Sequence, residues 1–106
     1  MNVLGCPVKI TSARSIYFPV TYLHAYNIDI YGDHLIRQQF GSYFIFRPYC
    51  ERDLLPNETL IKLRAGNTYL PAKWLIDNHL TPGKDSLYLL GVDNGFLVSA
   101  TAQISL

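Results

Sequence analysis

The segment Lys62-Leu-Arg-Ala-Gly-Asn-Thr-Tyr-Leu-Pro-Ala-Lys-Trp-Leu-Ile-Asp-Asn-His-Leu-Thr-Pro-Gly-Lys-Asp85 carries the pattern from which the whole chain can be interpreted. Its first part predicts a strand, a tight turn at Gly66-Asn67 and a second short strand that ends at Leu70. Pro71 then begins a short helix, because proline is tolerated in the first helical turn, where its missing N–H is no loss. Pro82-Gly83 turns the chain into a further strand. The segment therefore predicts a ββαβ unit.

The same unit occurs earlier in the chain, which indicates an internal repeat. A shift of 52 positions aligns 15–46 with 67–98 without a gap, and six aligned pairs are identical: Tyr17/Tyr69, Pro19/Pro71, Leu23/Leu75, Asp33/Asp85, Leu35/Leu87 and Phe44/Phe96. Upstream the shift is 53, because the first turn is one residue longer, and it aligns Lys9 with Lys62. The chain is therefore predicted to be one domain over 1–106, with repeats at 8–48 and 60–100 and a linker at 49–59.

Each repeat is predicted to have a ββαββ order. The predicted strands are 8–11, 16–18, 34–39, 43–46, 60–63, 67–70, 87–90 and 96–99, with helices at 20–26 and 71–78 and an additional strand in 101–106. A lone unit would leave unpaired strand edges and one open apolar face. Two units can pair their strands and close a barrel, which removes the edges and buries both faces. The predicted fold class is therefore mainly β: a small closed β-barrel of two repeats with two short helices.

Composition limits the possible partners only weakly. Nine basic and eight acidic residues among 106 give a net charge of +1, so any basic surface must be local. No signal-peptide pattern is recognisable, and no apolar stretch approaches the about 20 residues needed to span a bilayer. Cys6 and Cys50 form no C-x-x-C pair, which favours unbridged thiols. These features predict a cytoplasmic protein without membrane partners.

The residues Lys62-Leu-Arg-Ala-Gly-Asn-Thr, followed by Leu70-Pro71-Ala-Lys-Trp74-Leu75, resemble a pattern of the AbrB/MazE/SpoVT family of swapped-hairpin barrel proteins, Lys-x-x-Gly-Asn-Ser…Ile-Pro-x-x-Leu. The first repeat matches at Phe18-Pro19 but lacks Gly-Asn in its turn. The resemblance implies a small DNA-binding regulator in which two units form the barrel and basic residues of the first hairpin contact double-stranded DNA. The MazE-like features also imply a protein partner such as a toxin.

The resemblance makes five basic residues candidates for nucleic-acid binding: Lys9, Arg14, Lys62, Arg64 and Lys73. Phosphate contacts would supply most of the affinity, and arginine would discriminate among bases. The first repeat has Thr11 where the second has Arg64, so asymmetric binding is expected. Two alternatives stay open: the charges are ordinary solvated side chains, or the barrel is a protein–protein interaction module. The pairs Tyr17/Tyr69 and Tyr22/Trp74 stack on bases, belong to the core or form the seam between the two halves.

No motif for catalysis or cofactor binding is recognisable, so the chain is predicted not to be an enzyme and to need no cofactor. His24, His34 and His79 lack partners at metal-ligand spacing, so no metal site is predicted. Asp33 and Asp85 occupy equivalent turns and are predicted to accept backbone N–H bonds rather than to form a catalytic pair. Because one chain supplies two units, we expect a monomeric pseudo-dimer or a homodimer.

Overall fold

The structure is a computed structural model that describes residues 2–29 and 32–105, and it is mainly β with two short helices, as predicted. Within these residues the elements are β1 (Asn2–Leu4), β2 (Cys6–Lys9), β3 (Ser15–Tyr17), α1 (Val20–Ala25), β4 (His34–Gln39), β5 (Tyr43–Pro48), β6 (Glu58–Lys62), β7 (Asn67–Tyr69), α2 (Ala72–Asp77), β8 (Ser86–Val92), β9 (Gly95–Ser99) and β10 (Gln103–Ser105). Every predicted strand and helix is present, with bounds within two residues of the prediction. Neither helix, at six residues each, is long enough to cross a membrane.

The two halves of the chain exchange strands in one six-stranded antiparallel sheet. Its order is β2-β8-β9-β5-β4-β6, so β2 of the first half pairs with β8 of the second, and β6 of the second pairs with β4 of the first. The β5–β9 ladder joins the halves in the middle of the sheet. A separate two-stranded ribbon is formed by β3 and β7, again one strand from each half. The remaining pair is β1 with β10.

The strand registers are two-fold symmetric. Shifting residue numbers by 52, or by 53 upstream of the first turn, turns most pairings of the ribbon, the central ladder and the exchanged strands into pairings that are also observed; Tyr43/Ser99 and Gln38/Glu58 have no observed counterpart. The related pairs are Ser15/Tyr69 with Tyr17/Asn67 in the ribbon, Phe44/Val98 with Phe46/Phe96 in the central ladder, and Lys9/Ser86 with Lys62/His34 in the exchanged strands. The duplication inferred from the sequence stays a prediction about the origin of the chain, and these registers have the symmetry that it requires.

Closure of a barrel is not observed in the described residues. The six-stranded sheet ends at β2 and β6, and the ribbon of β3 and β7 is a sheet of its own. An isolated bridge between Arg64 and Asn67 connects the ends of β6 and β7. The mainly β class is therefore confirmed, whereas the closed barrel remains a prediction.

The core is built from apolar side chains of both halves. Phe44, Phe46 and Phe96 are fully buried, and the ring centroid of Phe18 lies 5.1 Å from that of Phe46 and 5.4 Å from that of Phe96. Trp74 packs on Phe44 with a centroid separation of 4.4 Å. Aromatic pairs at such distances add to the burial of their surface, so this cluster holds the two halves together.

Each short helix is anchored to a hairpin of the opposite half. The Tyr26 hydroxyl, just after α1, donates to the Val92 carbonyl at 2.8 Å, at the turn between β8 and β9. On α2, the Trp74 Nε1–H donates to the Phe40 carbonyl at 3.1 Å, at the turn between β4 and β5. These bonds satisfy the polar ends of half-buried and buried aromatic side chains, and they repeat the exchange seen in the strands.

The turns that follow the helices contain the predicted carboxylate contacts. The backbone N–H of Asp29 donates to Asp33 Oδ2 at 2.6 Å, and that of Thr81 donates to Asp85 Oδ2 at 2.7 Å. The two bonds are equivalent under the shift of 52. Asp33 and Asp85 therefore have the structural role expected from their position in the turns.

The predicted linker 49–59 is fixed at its end by Glu58, the first residue of β6. Both oxygens of this buried carboxylate accept bonds from Arg52 at 2.7 Å, and Oε1 also accepts the Leu55 N–H at 2.8 Å. The Arg52 guanidinium and then the Leu55 N–H lower the pKa of Glu58 from 4.5 to about 2, and the same ion pair raises the pKa of Arg52. The chain between β5 and β6 contains no helix.

Candidate nucleic-acid interface

The ribbon of β3 and β7 presents two tyrosines on one outer face. Ile16 and Thr68, opposite each other at its centre, are buried. Side chains alternate along a strand and cross-strand pairs share a face, so Tyr17 and Tyr69 lie on the side opposite to Ile16 and Thr68. The two tyrosines are diagonal neighbours, whose Cα atoms are typically about 7–8 Å apart. Tyr17 and Tyr69 are 54% and 57% exposed, respectively. Both rings are thus accessible for stacking.

Tight turns connect the ribbon to the six-stranded sheet. Between β6 and β7, Ala65 and Gly66 have φ values of 52° and 78°, the backbone of a type I′ turn. The longer turn between β2 and β3 places only Arg14 at positive φ, 61°. The carbonyls of Gly66 and Arg14 accept the N–H groups of Phe18 and Leu70 at 2.9 and 2.8 Å. The two turns are therefore locked to equivalent points of the opposite half.

Two grooves flank the ribbon at equivalent positions. The first groove, about 550 Å³, is lined by Val8, Lys9, Thr11, Ser12, Tyr17 and Gly83. The second groove, about 290 Å³, is lined by Arg37, Ile61, Lys62, Arg64, Asn67, Thr68 and Tyr69. Each has a lysine and an exposed tyrosine at matching positions, and neither of these described linings contains a carboxylate. Both grooves are therefore suited to an anion, the second more so.

The five predicted DNA-contacting residues are all exposed but fall in different places. Lys9 lines the first groove, while Lys62 and Arg64 share the second. Arg14 and Lys73 line neither groove. The bond from Leu70 N–H to the Arg14 carbonyl places Arg14 beside the start of α2, the helix that carries Lys73. The basic side chains are thus distributed around the ribbon, with the larger share in the second half.

Arg37 is a groove residue that sequence analysis missed. It lies on β4, half-buried, with its guanidinium carbon 5.4 Å from the centroid of the Phe44 ring. Its Nη1–H donates to the Tyr69 carbonyl at a long 3.3 Å. Burial lowers the pKa of Arg37 from its ordinary value. The repeat contains the signal that would have identified it, because its equivalent in the second half is the buried Leu89.

The other predicted aromatic pair has a different environment. Trp74 is buried and bonded to Phe40, and Tyr22 is half-buried, with its ring perpendicular to that of Phe96. These two residues belong to the core rather than to a stacking surface. The stacking of bases on Tyr17 and Tyr69 stays a prediction.

Cysteine and histidine side chains form no recognisable site in the part of the chain that the structure describes. Cys6 and Cys50 are exposed and unbridged. No group of three His, Cys, Asp or Glu side chains is placed to hold a metal ion among residues 2–29 and 32–105. The grooves beside the ribbon are therefore the candidate binding sites of the described residues.

Comparison of the chain with known protein families, curated proteins and solved structures found no match.

Proposed function

We propose that this protein is a small DNA-binding regulator of the AbrB/MazE type, without catalytic activity. The observation that supports the proposal is the pair of equivalent grooves beside the ribbon, each lined by a lysine and an exposed tyrosine. Duplex DNA presents phosphates on two related strands, and a two-fold arrangement of cations can contact both of them. In this proposal, Lys9, Arg14, Lys62, Arg64 and Lys73 contact double-stranded DNA.

The proposed architecture is a closed barrel in which one chain supplies two AbrB-like repeats. The exchange of β2 and β6 between halves, the ribbon of β3 and β7 and the bridge at Arg64 and Asn67 support this arrangement. A monomer then has the symmetry for which the family normally needs two chains, although a homodimer is also compatible with the proposal. As a DNA-binding regulator, the protein would act in the cytoplasm.

The salt dependence of binding to a mixed-sequence DNA duplex tests the function. A variant that neutralises one fewer phosphate should have a slope of log K against log salt that is shallower by about 0.9. We expect the affinity of the unmodified chain to fall steeply as salt rises. The double variant Lys62→Ala with Arg64→Ala should lower this slope by about two, and Lys9→Ala by about one, as measured by fluorescence anisotropy.

Arg47→Gln is the control, because it removes a positive charge that lines neither groove. Its salt slope should equal that of the unmodified chain. Absence of binding at low salt would reject the DNA-binding proposal. A slope reduced equally by Arg47→Gln and by the groove variants would reject the grooves as the contact surface.

The second candidate function is a protein–protein interaction module on the same fold, for example one that binds a toxin. It is favoured by exposed apolar side chains on the linker and the adjoining strand β6: Tyr49, Leu54, Leu55 and Leu60. Exposed apolar groups in neighbouring segments are typical of protein-binding surfaces. If DNA binding is absent at low salt, this function becomes the better account of the molecule.

A further inference from the structure

Two of the differences between the two grooves each add an arginine to the second. Arg37 in the second groove corresponds to Leu89, and Arg64 corresponds to Thr11 in the first. With Lys62, the second groove therefore carries three cationic side chains around about 290 Å³, whereas Lys9 is the cation lining the first. A volume near the lower limit for ligand pockets, about 300 Å³, suits a small anionic group.

Arg37 has hydrogen-bonding capacity that the described residues do not use. Its Nε is buried and has no hydrogen-bond partner. Among residues 2–29 and 32–105, Arg37 forms no ion pair, because the one ion pair there joins Arg52 and Glu58. A half-buried guanidinium without a carboxylate loses hydration that the long bond to the Tyr69 carbonyl and the contact with Phe44 replace only in part. A bound oxyanion would supply the missing countercharge and accept hydrogen bonds from the guanidinium.

Asn67 provides a second unpartnered group at the same groove. Its Oδ1 is buried without a hydrogen-bond partner among the described residues. The two ends of a side-chain amide have nearly the same shape, so a half-turn of the amide places its NH₂ where the oxygen now lies. Arg37 and Asn67, which both line the groove, thus each hold a buried polar atom without a hydrogen-bond partner among the described residues.

We propose that the second groove is an oxyanion pocket that takes one nucleic-acid phosphate, held by Arg37, Lys62 and Arg64. Asn67 adds a donor, and Tyr69 gives the adjoining base or sugar a surface for contact. The first groove lacks both arginines and binds phosphate only through Lys9. The proposal rests on the DNA-binding function and adds that the two halves of the protein have unequal roles on the duplex.

Titration of the full chain with inorganic phosphate, followed by ¹H–¹⁵N NMR, tests the pocket. We expect the Arg37 Nε–H and the Asn67 side-chain amide to shift, while the amide signals of Thr11 and Ser12 in the first groove stay unchanged. Acetate at equal ionic strength should produce a much smaller shift. Equal shifts in both grooves, or an unchanged Arg37 signal, would overturn the proposal.

The repeat itself supplies the matched variants. Arg64→Thr gives the second groove the residue of the first, and we expect phosphate to bind about tenfold more weakly because one charge-assisted bond is removed. Arg37→Leu introduces the residue found at the equivalent position 89, and it should remove the site. Lys9→Ala should change phosphate affinity less than about twofold. Arg64 is exposed, so Arg64→Thr keeps the test valid even if Arg37→Leu fails to fold.

A short DNA duplex separates this proposal from the proposed function. If the duplex and inorganic phosphate shift the same Arg37 signal, the pocket takes a DNA phosphate, as proposed. If the duplex binds in a salt-dependent manner without affecting Arg37, the DNA-binding function stands and the pocket is wrong. If phosphate shifts Arg37 but the duplex does not bind, the groove is an anion pocket for a free phosphate, and both the nucleic-acid assignment and the proposed function fail.

Discussion

Glu58 holds the linker against β6 through its carboxylate. The pKa of this group falls from 4.5 to about 2 because Arg52 and the Leu55 N–H bond the charged form. A carboxyl group with a lowered pKa in the folded chain stabilises the fold at a pH above its unfolded value, and this contribution is lost as the pH falls. The linker therefore has an acid-sensitive attachment.

Acidification should reveal this attachment. We expect the melting temperature of the unmodified chain to fall between pH 4.5 and about 2, as Glu58 takes up a proton on unfolding. Glu58→Gln should lower the melting temperature at neutral pH and reduce its dependence on pH over this interval. Glu51→Gln, at an exposed neighbouring position, is the control. Identical pH profiles for the unmodified chain and Glu58→Gln would contradict the assignment.

Single residues were predictable from the sequence to different degrees. Lys62 and Arg64 could be placed in one hairpin because adjacent turn signals fix their position. Arg37 could be recognised only through its equivalence to Leu89 in the repeat, because an arginine in an alternating strand normally faces solvent, and its half-buried position depends on the pairing of β4 with β6. Whether Tyr17 is exposed and Tyr22 half-buried is likewise decided by the packing between halves, which local sequence does not contain.

At the scale of elements, the β6–β7 hairpin places a residue with a side chain where the turn requires positive φ. Ala65 has a φ of 52°, at the first central position of the type I′ turn. Asparagine tolerates this conformation better than alanine, and Asn-Gly is a preferred sequence for such turns. The turn therefore holds a small amount of strain that a single substitution can relieve.

Ala65→Asn should raise the free energy of unfolding by about 0.5 to 1 kcal/mol, because an L-residue in this conformation costs about that amount or more. Chemical denaturation followed by circular dichroism measures the change. Ala13→Asn, in the other turn, where Arg14 is the residue with positive φ, should leave stability nearly unchanged. A stabilisation of equal size at both positions would show that turn geometry is not the cause.

The predicted bounds agree closely with the structure for elements that have strong local sequence signals. Features that depend on contacts between distant segments could not be predicted. The proline-started helices and the hairpins are within two residues of their predicted bounds. β1 gave no recognisable signal, because Asn2–Leu4 is three residues long and gains its partner only from β10, at Gln103–Ser105. The order of strands in the six-stranded sheet also depends on contacts between distant segments.

At the scale of the whole molecule, the exchange of strands makes each half depend on the other. Within 1–50, β2 lacks β8, β3 lacks β7 and β5 lacks β9; the hairpin of β4 and β5 is the pairing that this half retains. An isolated two-stranded hairpin is marginally stable in water. Neither half is therefore expected to fold as a monomer.

Separate expression of 1–50 and 51–106 tests this dependence. Each fragment alone should lack dispersed amide signals in NMR spectra, and an equimolar mixture should recover the spectrum of the intact chain. The cut leaves Arg52 and Glu58 in the same fragment, so their ion pair is preserved. A fragment that folds as a monomer by size-exclusion chromatography would contradict the prediction.

The pairing of early strands with late ones also has a consequence during synthesis. When β2 and β3 leave the ribosome, the segments that complete them, β8 and β7, have not yet been translated. Contacts of such long sequence separation form slowly, and their unpaired apolar strands are prone to aggregate in the meantime. We therefore expect the nascent chain to stay open until β8 and β9 emerge, with its unpaired strands accessible to chaperones in the meantime.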